Sequence, residues 1–225
     1  MSNDIRTTAI VLRRTNYGEG DRILTLITEQ GAISAIARGV RKEKSKLAGG
    51  IEMFCVSDMV IHEGKNNKLG IVTSAKMLEA YSDIVIDLER LEVGSNMLRM
   101  IHRVADSSTG PEYFNLLKQS LRALNAKQNI NMVEAWFLLN FAKISGEEVN
   151  LFTDSTDAKL SPNQTYVWSP SDKALVSRVG GNIGPSEIKL MRLMVSSDLD
   201  VIARVKDADQ RWLSILHLAK SANRL

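Results

Sequence analysis

The sequence predicts an α+β fold, with a five-stranded barrel over residues 1–80 and a mostly helical domain over residues 81–225. Three observations carry this expectation. Five short β-branched or apolar runs, separated by turn residues, fill the first 80 residues. From about residue 80 the apolar period changes from two to 3.6. Between the third and fourth runs lies Arg38 to Gly50, R-G-V-R-K-E-K-S-K-L-A-G-G, where five cations oppose one acid for a local charge of +4. A small Greek-key barrel of the OB type uses this many strands in this length, although an SH3-like barrel or a sandwich fragment gives a similar pattern.

The elements follow in order. Residues 7–13, T-T-A-I-V-L-R, read as the first strand, and residues 14–21, R-T-N-Y-G-E-G-D, as turn chemistry. Residues 22–28 form the second strand, and Gln30-Gly31 connects it tightly to the alternating residues 32–37, so these two strands read as a hairpin. Residues 52–62 form a fourth strand with Phe54, Val56, Met59, Val60 and Ile61, and Gly64 to Asn67 turn it into a fifth at 69–73. The boundary to the helices lies near residues 78–84. Beyond it Leu88, Leu91, Leu98, Ile101 and Ala105 share one helical face, with Glu89, Glu92, Asn96 and Arg99 off it. Gly110-Pro111 punctuates, and Phe114, Leu117, Leu121 and Leu124 form the next stripe. Asn131 with Glu134 resembles a capping box for a helix from Met132 to Ser145, which Gly146 is placed to end. Periodicity is lost over 147–184, and residues 165–168 and 174–177 predict a small hairpin within an irregular insertion at about 150–183. Gly184-Pro185-Ser186-Glu187 opens a helix to about Ser196. A last helix from about Asp207 to Ala222 has Trp212, Ile215, Leu216 and Ala219 on one face.

With 44% hydrophobic and 24% charged residues, the 225-residue chain has the composition of a globular protein able to bury its own core. The net charge of +3 and pI near 9.0 are mild, so any anion-binding face must come from clustering. The single cysteine, Cys55, excludes an internal disulfide. Residues 1–6 lack the features of a signal peptide, and no apolar stretch approaches the ~20 residues that span a bilayer. The expectation is a cytoplasmic protein with no membrane partner.

The R-G-V-R-K-E-K-S-K-L-A-G-G run reads as a flexible basic loop projecting from a sheet, suited to a polyanion such as nucleic acid. The bland alternative is a solvated charged loop. Against it, the cations Arg38, Arg41, Lys42, Lys44 and Lys46 are interleaved with glycine and serine, and Arg13, Arg14, Arg22, Lys65 and Lys68 lie at strand ends or turns of the same barrel. Tyr17 is a candidate base-stacking residue, weighed against a half-packed turn tyrosine. Phe54 reads as core and Cys55 as a buried thiol. His62, His102 and His217 share no ligand spacing, and no nucleophile, P-loop, zinc or paired-carboxylate pattern is present. The residues therefore favour a non-enzymatic binding protein over a nuclease built from scattered acids. Trp136, Phe137, Leu138, Leu139 and Phe141 make one helix apolar nearly all round, as a core helix or the lining of a peptide groove.

The stretch T-T-A-I-V-L-R-R-T-N-Y-G-E-G-D-R-I-L-T-L-I-T-E-Q-G, followed by A-R-G-V-R-K-E-K-S-K-L-A-G-G-I-E-M-F, resembles the N-terminal barrel of the bacterial recombination mediator RecO family over about residues 7–63. Beyond residue 80 the likeness is looser, with F-N-L-L-K-Q-S-L-R-A-L and E-A-W-F-L-L-N-F-A-K-I-S-G in the right order. The resemblance implies an OB-fold followed by a helical domain, acting in the RecF pathway of recombinational DNA repair at the nucleoid. It implies binding of single- and double-stranded DNA and annealing of complementary strands. It also implies partnership with RecR in loading RecA, and engagement of the C-terminal tail of single-strand-binding protein. Loop chemistry alone leaves a general RNA-binding barrel as the alternative. Many members of the family carry a four-cysteine zinc site after the segment matching residues 146–152. Here residues 152–181 hold no cysteine, so the expectation is that no zinc or other cofactor is bound, with Tyr166 and Trp168 holding the hairpin instead.

Overall fold

The structure, a computed structural model, describes residues 4–43, 45–64, 69–106, 109–206 and 208–223. The chain forms two compact units, Met1–Asn125 and Ala126–Leu225.

In the first unit, β1 (Asp4–Tyr17), β2 (Asp21–Thr28), β3 (Gly31–Ala37), β4 (Cys55–His62) and β5 (Gly70–Ala80) close a barrel in the order β1-β2-β3-β5-β4. β1 pairs antiparallel with both β2 and β4, and a short parallel pairing, Ala35 with Gly70 and Ile36 with Ile71, joins β3 to β5. This is the OB arrangement, and it sets aside the SH3-like and sandwich alternatives. Ala9, Val11, Leu24, Leu26, Ala35, Ala37, Met59, Ile61 and Val72 fill the interior. Residues of the opposite parity, Ile10, Ile27 and Val56, are buried as well. The helices α2 (Leu88–Val104) and α3 (Pro111–Asn125) pack on that side of β1 and β2. Burial on both faces explains why the A-I-V-L run does not alternate.

Three expectations shift. The hairpin register continues to Tyr17 opposite Asp21, so the connection is only Gly18 to Gly20, shorter than the turn chemistry of residues 14–21 predicts. Backbone pairing needs no apolar side chain, and the polar outer end of a strand reads like a turn. β5 likewise extends to Ala80, past its last apolar alternation. The α2 face is rotated: Arg90, Val93, Gly94, Met97, Leu98, Met100 and Ile101 are buried, whereas Leu88 is 81% exposed. Asp87 caps α2 by accepting from the Arg90 amide at 3.2 Å, which leaves Leu88 in the first turn. The Arg90 guanidinium donates to the carbonyl of Leu124 in the last turn of α3 at 2.9 Å, so a cation sits at a helix C-terminus, where the dipole favours it. A short α1 (Ser82–Val85) precedes α2. Gly94 allows close packing here, because a Cβ would lie 2.9 Å from the Phe54 ring.

In the second unit, α4 (Ile130–Ile144) is central, buried continuously from Met132 to Leu139, with α5 (Pro185–Ser196) and α7 (Asp209–Ala222) packed on it. Its cap is Asn129, whose Oδ1 accepts from the Met132 amide at 3.1 Å, rather than Asn131. Glu134 instead pairs with Lys220 at 3.0 Å. At the other end Gly146, at φ 78°, lets its own amide reach Lys143 and the Glu147 amide reach Ala142, the Schellman pattern. The hairpin of β6 (Tyr166–Ser169) and β7 (Ala174–Ser177) forms as read, and a short α6 (Leu199–Ile202) lies between α5 and α7.

Candidate nucleic-acid interface

The basic run is tied down rather than projecting. Val40 and Ile51 are buried in the barrel core, and Leu47 and Met53 pack against it. Gly50 lies within a single 3-10 turn, Ala48–Ile51, so close to β5 that a Cβ would lie 2.4 Å from the Ala75 carbonyl oxygen. The segment thus leads from the end of β3 towards β4, with Val40 buried at one end and Gly50 and Ile51 packed at the other, Gly50 against β5. An anchored cation loses less conformational freedom on meeting a phosphate than one on a free loop.

Its first turn is stitched to the β1–β2 connection. Arg41 N donates to Gly20 O at 3.0 Å, and Arg41 Nη1 donates to Gly18 O at 3.2 Å. Gly39 N donates to Asp21 Oδ1 at 2.8 Å. Gly18 and Gly39, at φ 55° and 64°, take the left-handed backbone that these tight turns require. The stem of Lys42 lies over Gly20. Two segments separated in sequence therefore present Tyr17, Arg38, Arg41 and Lys42 at one end of the barrel.

The remaining sites distribute as follows. Arg38, Arg41, Lys42 and Lys46 are exposed, and Tyr17 is 56% exposed. Arg13 is exposed on β1, and strand alternation puts it on the same side as Tyr17. Arg14 and Arg22 lie on the other side: Arg14 pairs with Glu52 at 2.6 Å, and Arg22 Nε donates to Asn16 Oδ1 at 3.3 Å. Lys44, Lys65 and Lys68 lie outside the described residues. Sequence reasoning passed over Asp21, Glu52 and Val40. The only sequence signal for Asp21 was an acid at the edge of a cationic region; its bond to Gly39 is tertiary.

Other reactive groups are quiet. Cys55 is buried with its Sγ 2.9 Å from the Glu52 carbonyl, and burial pushes the thiol above its ordinary value. Among the described residues no group of three or more His, Cys, Asp or Glu is placed to hold a metal ion, and no helix is long and apolar enough to cross a membrane.

The family model described as Recombination protein O N terminal matches residues 1–81, and the one described as Recombination protein O C terminal matches residues 86–218. The chain belongs to the RecO family. Curated RecO relatives, each named DNA repair protein RecO, are similar over most of its length. One from Dehalococcoides mccartyi (strain ATCC BAA-2266 / KCTC 15142 / 195) is 28% identical over 98% of this chain and 89% of its own. One from Roseiflexus sp. (strain RS-1) is 30% identical over 89% of this chain and 73% of its own. A RecO relative from Heliobacterium modesticaldum is 42% identical over a shorter span, 50% of this chain and 41% of its own.

Proposed function

We propose that this chain is a non-enzymatic DNA-binding mediator of recombinational DNA repair. It binds single- and double-stranded DNA, anneals complementary strands and, with RecR, promotes loading of RecA onto DNA coated by single-strand-binding protein. The observation that carries the reading is the stitched cationic end of the OB barrel, where Arg41 is bonded to Gly18 and Gly20 in the connection that follows Tyr17, and Arg38 and Lys42 are exposed on the same segment. Membership of a family whose curated relatives are named DNA repair proteins supports the repair role.

The chemistry follows from the geometry. Arg38, Arg41, Lys42 and Lys46 hold phosphates and release counterions. Tyr17 offers a ring face on which a base stacks without sequence preference. Arg13 widens the track on the Tyr17 side, while Glu52 offsets Arg14. Contacts to the backbone leave base edges free, which is what annealing needs. The C-terminal tail of single-strand-binding protein engages the helical unit, and the protein works in the cytoplasm at the nucleoid without a bound metal.

The deciding experiment measures binding to a labelled single-stranded DNA across a salt series, with annealing of complementary strands in the presence and absence of single-strand-binding protein. The wild type binds more weakly as salt rises. The quadruple variant Arg38→Ala, Arg41→Ala, Lys42→Ala, Lys46→Ala flattens the logarithmic salt slope by up to about 3. A matched RNA competing as well as DNA, with no annealing, would turn the assignment to a general RNA-binding barrel. Unchanged affinity in the quadruple variant would remove the site.

A further inference from the structure

Asp21 is one of three acids, with Glu19 and Glu43, on a surface whose other charged groups are cations. By charge alone it opposes a polyanion, since a carboxylate near phosphates costs attraction. Its carboxylate forms no ion pair among the described residues; Oδ1 instead accepts from the backbone amide of Gly39 at 2.8 Å. That amide opens the basic segment, at the left-handed residue that turns the chain back over the β1–β2 connection. Two residues on, Arg41 completes the stitch through its amide to Gly20 and its guanidinium to Gly18. Asp21 also pairs directly with Tyr17 across the β1–β2 ladder, so a single residue borders both the stacking ring and the cationic turn.

We infer that Asp21 is a positioning residue of the nucleic-acid surface: by fixing Gly39 it sets where Arg38, Arg41 and Lys42 stand relative to Tyr17. The inference rests on the DNA-binding reading above. The acceptor oxygen, and not the negative charge, is what the surface uses.

The two contributions have opposite signs, which makes them separable. Asp21→Ala removes charge and acceptor together, whereas Asp21→Asn removes the charge and keeps an acceptor oxygen. Each full-length variant is titrated with fluorescent oligo-dT across a salt series, and its thermal midpoint and the amide exchange of Gly39 and Arg41 are measured beside those of Leu24 and Leu26. The expected result is that Asp21→Ala binds about five- to tenfold more weakly, the value of one lost hydrogen bond. Gly39 and Arg41 exchange faster while the core amides do not change. Asp21→Asn binds as tightly as the wild type or tighter. Asp21→Ser, with a shorter acceptor, falls between them and carries the comparison if the alanine variant does not fold. Asp21→Ala binding as tightly as the wild type or tighter would overturn the inference, because Asp21 would then act only as a repulsive charge. Equal weakening in the alanine and asparagine variants would overturn it in favour of the charge itself. Wild-type protein whose binding ignores salt would defeat the DNA reading and the inference together.

Discussion

Gly50 and Gly49 are neighbours in the sequence with opposite tolerances. A Cβ on Gly50 meets the Ala75 backbone at 2.4 to 2.5 Å, whereas nothing lies within 4 Å of one on Gly49. Gly50→Ala forces a backbone shift, and overpacking of this kind costs about 1–3 kcal/mol, read as a lower thermal midpoint. Gly49→Ala stays within about 0.5 kcal/mol of the wild type. Cys55 gives a second expectation. Its raised folded-state value means that the native protein holds the thiol proton longer than the unfolded chain does. The associated stability is present below the ordinary thiol value, about 8.5, and is lost as pH rises through the folded value. The thiol accordingly stays unreactive to iodoacetamide at pH 8 until the protein unfolds, and rapid native alkylation would contradict this. At this scale composition revealed much. Phe54 and Cys55 were legible as buried because both are apolar within an apolar run. Asp21 was not, because the bond that gives it a role links residues 18 positions apart. Lys44, Lys65 and Lys68 were legible as cations, and they lie outside the described residues.

Among the elements, β5 and α3 are joined by one acid. Glu79 accepts from Arg122 through two nitrogens at 2.6 and 2.7 Å and from the Tyr81 hydroxyl at 3.1 Å, with Lys118 at 3.7 Å. Arg122 holds the Glu79 carboxyl below the usual carboxylate range. A lowered value contributes stability above the ordinary glutamate value of about 4.3, lost as pH falls through the folded value. Glu79→Gln therefore costs about 1 kcal/mol at pH 7 by urea unfolding, and the gap to the wild type closes in acid. The insertion before α5 is organised around Tyr166, whose hydroxyl accepts from the Ser161 amide at 2.8 Å and whose backbone exchanges two bonds with Ile183. Tyr166→Phe leaves that amide without its acceptor and lowers stability by about 1–3 kcal/mol, while a chelator leaves the thermal midpoint of the wild type unchanged. Helices with a strong apolar stripe, such as α3, were legible as drawn. α2 was not, because its buried face includes Arg90 and Gly94, residues that a hydrophobic count scores as exposed and that α3 and Phe54 hold in place. The sequence places the cap of α4 two residues late because Asn129 and Asn131 carry the same chemistry, and only the backbone distinguishes them.

For the whole molecule, a net charge of +3 hides a local concentration of cations, so binding strength tracks arrangement rather than total charge. The fold class was legible from the change of period, and so was the place of the basic run between the third and fourth strands. What could not be read was that the basic run is fastened at both ends. One fastening, at Arg41 and Gly39, needs only the consecutive strands β1, β2 and β3. The other, Gly50 against Ala75, needs β5. β5 is held by its short parallel pairing with β3 and its ladder with β4, and β4 must itself find β1, where Asp4 meets His62 across 58 positions. Pairings so distant in sequence form slowly because the intervening chain must first be closed into a loop. A refolding chain is therefore expected to form the stitched turn before the barrel shuts, and pulse-labelled amide exchange that protects Gly39 and Arg41 no earlier than β5 would contradict this order.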